Sequence, residues 1–210
     1  MCLIAFAWDM HPKYKLILAA NRDEFYHRPT AKAAFWGDHP DLLGGRDLQA
    51  GGTWMTISKN GRFAAVTNYR DLSNIREDAA SRGEIPTNFV NGTQSPTEFI
   101  QALHEDSEKY NGFNVLVSDF KETVHYSNYE RKLNVLKPGI YGLSNALLDT
   151  PWPKVELVKD NFEKAINNSF NHQELLEVMM NDRIAPDEQL PDTGVPKDME
   201  RQLSAMCIRM

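Results

Sequence analysis

The chain has 210 residues, 41% hydrophobic and 25% charged, proportions that exclude a disordered, collagenous or coiled-coil protein. Its 23 Lys and Arg against 29 Asp and Glu leave a net charge of −6, which disfavours nucleic acid or an anionic membrane surface as a partner. One domain spanning residues 1–210, with a sizeable core, is expected at this length.

No apolar run approaches the roughly 18 residues of a membrane helix. The opening Met1-Cys2-Leu3-Ile4-Ala5-Phe6-Ala7-Trp8 lacks the basic n-region of a signal peptide, so a cytoplasmic protein is expected. The two cysteines, Cys2 and Cys207, lie far apart in sequence and form neither a disulfide framework nor a metal-ligand spacing. Two glycosylation patterns, Asn91-Gly92-Thr93 and Asn167-Asn168-Ser169, carry no weight without a secretory signal.

Residues 3–8 are continuously apolar and too short for a helix, so they predict a strand buried on both faces. Tyr14 to Ala20 predicts a second strand, closed onto the first as an antiparallel hairpin by the turn at Asp9-Met10-His11-Pro12. An irregular stretch follows. Thr53–Ser58 and Arg62–Asn68 then flank Lys59-Asn60-Gly61, whose Asn-Gly pair predicts a type I′ hairpin turn. A short helix is expected near 84–91. Ser95-Pro96-Thr97-Glu98 has a capping hydroxyl, a proline at the first helical position and a glutamate at the third, so a helix runs from it to about Tyr110. The runs Phe113–Ser118, Thr123–Ser127, Leu133–Leu136 and Ile140–Ser144 predict an antiparallel meander. Val155, Val158, Phe162, Ala165 and Ile166 recur at helical spacing after Pro153, and Leu175, Leu176 and Met179 do so after the capping residue Asn171. Proline, glycine and acidic residues dominate from 185 to 197. The order of strands, helix, strands and helices predicts an α+β fold.

Candidate chemistry begins at Cys2. A small side chain at position two normally permits removal of the initiator Met, which would leave a thiol and a free α-amine on one residue. The amine, with a pKa near 8, could take the thiol proton, as N-terminal nucleophile catalysts require. The alternative is an inert thiol at the start of a core strand, and position alone does not decide. The hairpin adds weight, because antiparallel pairing of the first two strands brings Cys2 beside Arg22 and Asp23. A guanidinium there would lower the thiol pKa, and a carboxylate would orient the amine. Asn68 ends a strand and Asn145 follows one; they are either turn formers or side-chain amides aimed at an oxyanion. Gly44-Gly45 and Gly51-Gly52 match no phosphate-binding fingerprint and are expected to shape a loop. The six histidines are scattered, so neither a metal nor any other cofactor is expected.

Asn21-Arg22-Asp23-Glu24, behind Met1-Cys2, resembles the name-giving motif of the NRDE family, also called the transport-and-Golgi-organisation family. Gly44-Gly45-Arg46-Asp47, Gly51-Gly52-Thr53-Trp54, Thr67-Asn68-Tyr69-Arg70, Ser81-Arg82-Gly83, Leu143-Ser144-Asn145 and Pro151-Trp152-Pro153-Lys154 extend the resemblance over essentially the whole chain. The family in turn resembles the N-terminal-nucleophile hydrolases of the penicillin V acylase and bile-salt hydrolase branch. The resemblance implies an αββα sandwich of two stacked antiparallel sheets. By it Cys2 is the nucleophile, Arg22 and Asp23 organise the amine and substrate, and Asn68 and Asn145 supply oxyanion and amine-positioning amides. Asn21, Glu24, Arg46, Trp54, Tyr69 and Arg70 are expected at the substrate. That substrate would be a small non-peptide amide or a related acyl compound.

Members of the family continue for some tens of residues past Met206-Cys207-Ile208-Arg209-Met210, with final strands and an arginine resembling a catalytic one. Either the chain is a truncated form or its sheets are completed differently; a missing inner strand would leave an exposed edge prone to association, which would favour a homo-oligomer. A retained Met1 would acylate the amine and remove the base. The family's associations with secretory organisation, lipid metabolism and haem handling imply an alternative: a non-catalytic binding or trafficking protein for haem or an acyl thioester.

Overall fold

The computed structural model describes residues 2–167 and 171–208. The expected removal of Met1, the Asn168-Ser169 half of the second glycosylation pattern and the final Arg209-Met210 lie outside these residues. The chain is α+β with two antiparallel sheets, and its contacts group it into two compact units.

The first unit comprises Met1–Asp23, Arg70–Ser73 and Lys137–Met210. Its sheet holds β1 (Cys2–Trp8), β2 (Leu16–Arg22) and β10 (Gly139–Leu143), in the order β10-β1-β2. Central β1 is buried on both faces, as its unbroken apolar run predicts. On one face Leu3, Ala5, Ala7, Ile17 and Ala19 pack against two helices, α3 (Pro153–Asn167) and α4 (His172–Met179). The helices contribute Val155, Val158, Phe162, Leu175 and Met179 to the same core. Full burial of one such side chain stabilises by roughly 1.5–3 kcal/mol. Small residues let α3 come close: a Cβ on Gly142 would stand 2.7 Å from Val155 Cγ1. Asn171 caps α4, its side chain accepting from Gln173 N. The Pro-rich stretch after α4 ends in a helix absent from the sequence reading, α5 (Lys197–Leu203).

The second unit comprises Glu24–Tyr69 and Asn74–Leu136. Seven strands run in chain order as a meander: β3 (Thr30–Phe35), β4 (Leu42–Asp47), β5 (Met55–Ser58), β6 (Arg62–Asn68), β7 (Phe113–Ser118), β8 (Thr123–Ser127) and β9 (Lys132–Val135). Ala64, Val66, Val115, Val117, Val124 and Tyr126 form one core with Ile85, Phe89 and Ile100 of α1 (Glu84–Asn91) and α2 (Pro96–Glu105).

Four expectations change. β3 and β4 occupy a stretch read as irregular, because β3 is mostly exposed and carries three alanines, and β4 contains Gly44-Gly45. The β5–β6 hairpin forms, but with three loop residues between paired Ser58 and Arg62, and only Gly61 takes a positive φ (73°). That is the pattern of a three-residue turn closed by one left-handed residue, rather than type I′. The capping box starts α2 as predicted, with Ser95 N donating to Glu98 Oε2 at 2.9 Å. The helix ends at Glu105 instead of near Tyr110, because Ser107 turns its hydroxyl onto the His104 carbonyl (2.8 Å) and accepts from Tyr126 Oη (3.1 Å). Finally, the fourth strand of the expected meander, β10, leaves for β1. Pro138, just before it, has no N–H to donate to a continuing ladder.

Gly51-Gly52 shapes a close approach of chains, as expected of the loop glycines. Thr53 N donates to Gly83 O (3.0 Å), and a Cβ on Gly52 would lie 2.4 Å from the Gly83 carbonyl. The obstacle is backbone and cannot rotate away, so Gly52→Ala is expected to destabilise by about 1–3 kcal/mol. A urea midpoint indistinguishable from the parent's would contradict this contact.

Candidate active site

The pairing of β1 with β2 runs without a bulge from Trp8↔Leu16 to Cys2↔Arg22. An unbroken antiparallel register places Arg22 directly across from Cys2, and the Asp23 backbone N–H bonds the sulfur. β10 pairs on the other side, Ile4 with Leu143, so the two residues after it reach the start of β1. Ser144 Oγ donates to the Cys2 carbonyl (3.0 Å), and Cys2 N donates to Asn145 Oδ1 (3.3 Å). Asn145 is 1% exposed. The expected constellation of Cys2, Arg22, Asp23 and Asn145 therefore meets at one end of this sheet.

Arg70 joins it through the backbone, its N–H donating to the Asn145 carbonyl at 2.7 Å. The Arg70 side chain is almost fully buried. Nη1 donates to Glu200 Oε2 (2.9 Å) and Thr193 Oγ1 (3.2 Å), and the guanidinium lies 4.9 Å from the centre of the Trp152 ring. Glu200 in turn accepts from Thr193 N (3.0 Å) and from the Thr193 hydroxyl. Asn21 faces the other way from Arg22. Its amide donates to the carbonyls of Met179 (2.7 Å) and Met206 (2.8 Å), tying both ends of the 179–206 segment to β2.

The remaining predicted residues belong to the second unit. Glu24 lies beside Arg28 (3.8 Å). Arg46 forms a paired ion bridge with Asp38 (2.7 Å for each oxygen) and stacks 4.2 Å from Trp36. The Trp54 ring fills the space beside Gly45, where a Cβ would meet it at 2.4 Å. Asn68 pairs with Phe113 at the end of β6, and Tyr69 stacks on Tyr129 with centroids 3.8 Å apart.

Sequence reasoning passed over Lys154 and Glu200 as site residues. Lys154 is 2% exposed at the start of α3, where Nζ donates to the Leu203 carbonyl at 2.7 Å. It sits on the apolar stripe that runs through Val155, Val158 and Phe162, and a charge on such a stripe was the available signal. Glu200 lies in a Pro-rich segment with no periodicity to mark it. Arg70, Lys154 and Glu200, with Trp152, Pro191 and Leu203, line a crevice of about 10 Å³, room for a single water.

Electrostatics pull the sulfur both ways. Burial pushes the Cys2 thiol above its ordinary value and the Asp23 carboxylate adds to this, while the Asp23 N–H and the Arg22 guanidinium draw it down. Burial also raises the Asp23 carboxyl, against the pull of Lys154. Among the described residues, no three His, Cys, Asp or Glu side chains are placed to hold a metal ion, and no helix is long and apolar enough to cross a membrane. His125 lies buried in the second unit against Asn114 (3.3 Å), and burial draws its pKa down to about 4.

The Transport and Golgi organisation 2 homolog of Mus musculus is 37% identical over 231 residues, covering 100% of this chain and 83% of its own. The Homo sapiens Transport and Golgi organization protein 2 homolog has the same identity and coverage. Among solved structures, a penicillin V acylase from Agrobacterium tumefaciens aligns at a TM-score of 0.37 and 11% identity, over 77% of this chain and 49% of that one. A family model described as Transport and Golgi organisation 2 matches residues 1–210, and the chain belongs to that family.

Proposed function

We propose that the protein is a cysteine N-terminal-nucleophile hydrolase of the cytosol that cleaves a non-peptide amide or related acyl compound, with Cys2 as nucleophile once Met1 is removed. The observation that carries this is the grip on the Cys2 nitrogen. Asn145, buried two residues past the end of β10, accepts from that nitrogen at 3.3 Å, with Arg22 opposite Cys2 in register. An inert core thiol needs no side chain to position its own backbone nitrogen.

In the processed chain that nitrogen is an amine and takes the thiol proton. The thiolate attacks the acyl carbon, and the bond from carbon to the leaving nitrogen breaks as the amine returns the proton to it. Water then hydrolyses the thioester, releasing the acid and restoring the thiol. Arg22 favours the thiolate, and Asp23 holds the ammonium form of the amine. Asn68 is assigned to the oxyanion. From the resemblance alone, Asn21, Glu24, Arg46, Trp54, Tyr69 and Arg70 are assigned to substrate recognition.

A second reading is favoured by the raised thiol, which burial holds in its neutral form. In it the scaffold binds an acyl thioester or haem without turnover, in keeping with relatives named for transport and Golgi organisation.

Met-free protein should be treated with iodoacetamide and, separately, with a library of acyl amides, followed by intact-mass analysis. The catalytic reading expects Cys2 to alkylate faster than Cys207 and an acyl-enzyme mass on Cys2. Slower alkylation of Cys2, no acyl adduct, and saturable thioester binding unchanged in Cys2→Ala would establish the second reading instead.

A further inference from the structure

Two contacts on the Cys2 backbone come from beyond the end of a strand. β10 stops at Leu143, and the next two residues, Ser144 and Asn145, grip the Cys2 carbonyl and nitrogen. They lie past the β1–β10 ladder, whose pairing ends at Ile4 with Leu143, so the loop that follows has to place them. Asp149 closes that loop. Its N–H donates to the Gly142 carbonyl at 2.8 Å, and its Oδ1 accepts from the Gly142 N–H at 2.8 Å. Gly142 faces Ala5 across the ladder, and one aspartate engages both of its backbone groups on the outer edge of β10.

The clip is itself held. Lys159 Nζ, from α3, donates to the same Asp149 Oδ1 at 2.7 Å. A Cβ on Gly142 would meet Val155 Cγ1 at 2.7 Å and the Lys159 stem at 3.1 Å, so the bare glycine is what lets α3 bring this lysine across β10. Thr150 donates from its N and Oγ1 to the Leu147 carbonyl (3.1 and 2.8 Å), which stiffens the loop from within. Asp149 takes a φ of 55°, in the left-handed region that L-residues avoid and that Asn and Asp tolerate best. Such a conformation persists where the surroundings over-determine it, and it clusters at functional sites. Here three hydrogen bonds fix one residue, four positions after Asn145.

We infer that Asp149 is a positioning residue for the reacting amine: it clips the 142–149 loop shut on Gly142 and so holds Ser144 and Asn145 where they grip Cys2. This rests on the reading of the Cys2 amine as base, yet it concerns the hold on that amine and can be measured without any substrate. In the processed chain Asn145 Oδ1 accepts from the ammonium form and favours it. An unclipped loop lets the acceptor drift, and the amine then loses its proton at lower pH. The same drift misplaces the base from the sulfur, and a misplacement of about 1 Å costs up to about 10²-fold in rate.

Met-free protein made with nitrogen-15 cysteine carries two labels, Cys2 and Cys207. Titrating the Cys2 nitrogen signal reads its amine directly, with Cys207 as internal reference. Asp149→Ala removes the side-chain half of the clip. Asp149→Gly removes it too but takes a left-handed φ freely, which keeps the test open should alanine prevent folding. Asp149→Asn keeps an acceptor for Gly142 and the tolerance of that φ. The expected result is an amine midpoint about one unit lower in Asp149→Ala and Asp149→Gly, the size of a hydrogen bond to a charged group. Asp149→Asn should stay with the parent. The nitrophenolate burst from p-nitrophenyl acetate should slow by about tenfold in the same two variants, at an unchanged half-saturating ester concentration. An unshifted midpoint in Asp149→Gly overturns the inference, even where its urea midpoint falls, because the clip would then serve only the edge of β10. A midpoint lowered as far in Asp149→Asn overturns it too, since the charge rather than the clip would then set the amine. A midpoint lowered in Asp149→Gly and regained in Asp149→Asn supports it. A parent without any burst would remove the hydrolase reading and leave the titration to judge the clip.

Discussion

Glu200→Ala is expected to be among the most damaging single changes outside the apolar core, lowering stability by about 3–5 kcal/mol, because it strips the partner from a buried cation. The Arg70 and Glu200 side chains are only 6% and 5% exposed, and they meet at 2.9 Å. Removing the carboxylate takes away the ion pair that the guanidinium makes in a low-dielectric setting, and neither the Trp152 ring nor the Thr193 hydroxyl beside it supplies a charge in its place. It also releases Thr193, whose N–H and hydroxyl both point at Glu200. Urea denaturation read by Trp fluorescence measures the loss. Hydrogen exchange should show it concentrated in residues 191–206, which Glu200, Lys154 and Asn21 fasten to the first unit. Because the pair is buried, 1 M salt should change the difference little. The double variant Arg70→Met/Glu200→Met should be less destabilised than Glu200→Ala, since an apolar pair leaves no orphan charge. Equal stability of parent and Glu200→Ala would mean that the pair is not closed in solution.

The first unit was legible where apolar pattern and register coincide. An unbroken apolar β1 and a short turn to β2 suffice to bring Cys2 to Arg22, because the antiparallel pairing has no bulge to slip it. Asn145 could be nominated as a residue after a strand. Its meeting with the Cys2 nitrogen could not, because it depends on β10 leaving the meander to pair with β1 across some 140 residues of sequence. Such long-range pairings leave no local trace. The same holds for Glu200, which lies in a stretch whose Pro and Gly residues read as loop, and for Lys154, whose partner Leu203 is on another helix. The second unit shows the complementary limit. β3 and β4 form through their neighbours in the sheet despite alanines and glycines that argue against strand, so context overrode local preference. Capping chemistry read well at Ser95 and Asn171, where the signal and its consequence sit within three residues of each other.

Asn145→Ala is expected to slow acyl transfer by about 10²–10³-fold, the usual cost of losing a preorganised side-chain amide at a reacting centre. p-Nitrophenyl acetate provides the readout in Met-free protein. Attack by the thiolate breaks the bond from carbon to the phenol oxygen, and a burst of nitrophenolate reports acylation of Cys2. In the parent, Asn145 Oδ1 accepts from the Cys2 nitrogen at 3.3 Å, and the Asn145 backbone is held by Arg70 N on its carbonyl at 2.7 Å. Alanine keeps that backbone link and removes the hold on the amine. The burst rate should fall while the Cys207 alkylation rate stays unchanged, which a general loosening of the fold would not give. Asn145→Asp separates position from charge. It retains an oxygen at the same distance from the nitrogen, so it should preserve more of the burst than alanine does. The added carboxylate, buried with Asp23 near the sulfur, should also move the burst's pH profile upward, since a second negative charge disfavours the thiolate. A full burst in Asn145→Ala would leave the amine needing no support from β10, and the role of that contact would then be to hold the two strands together.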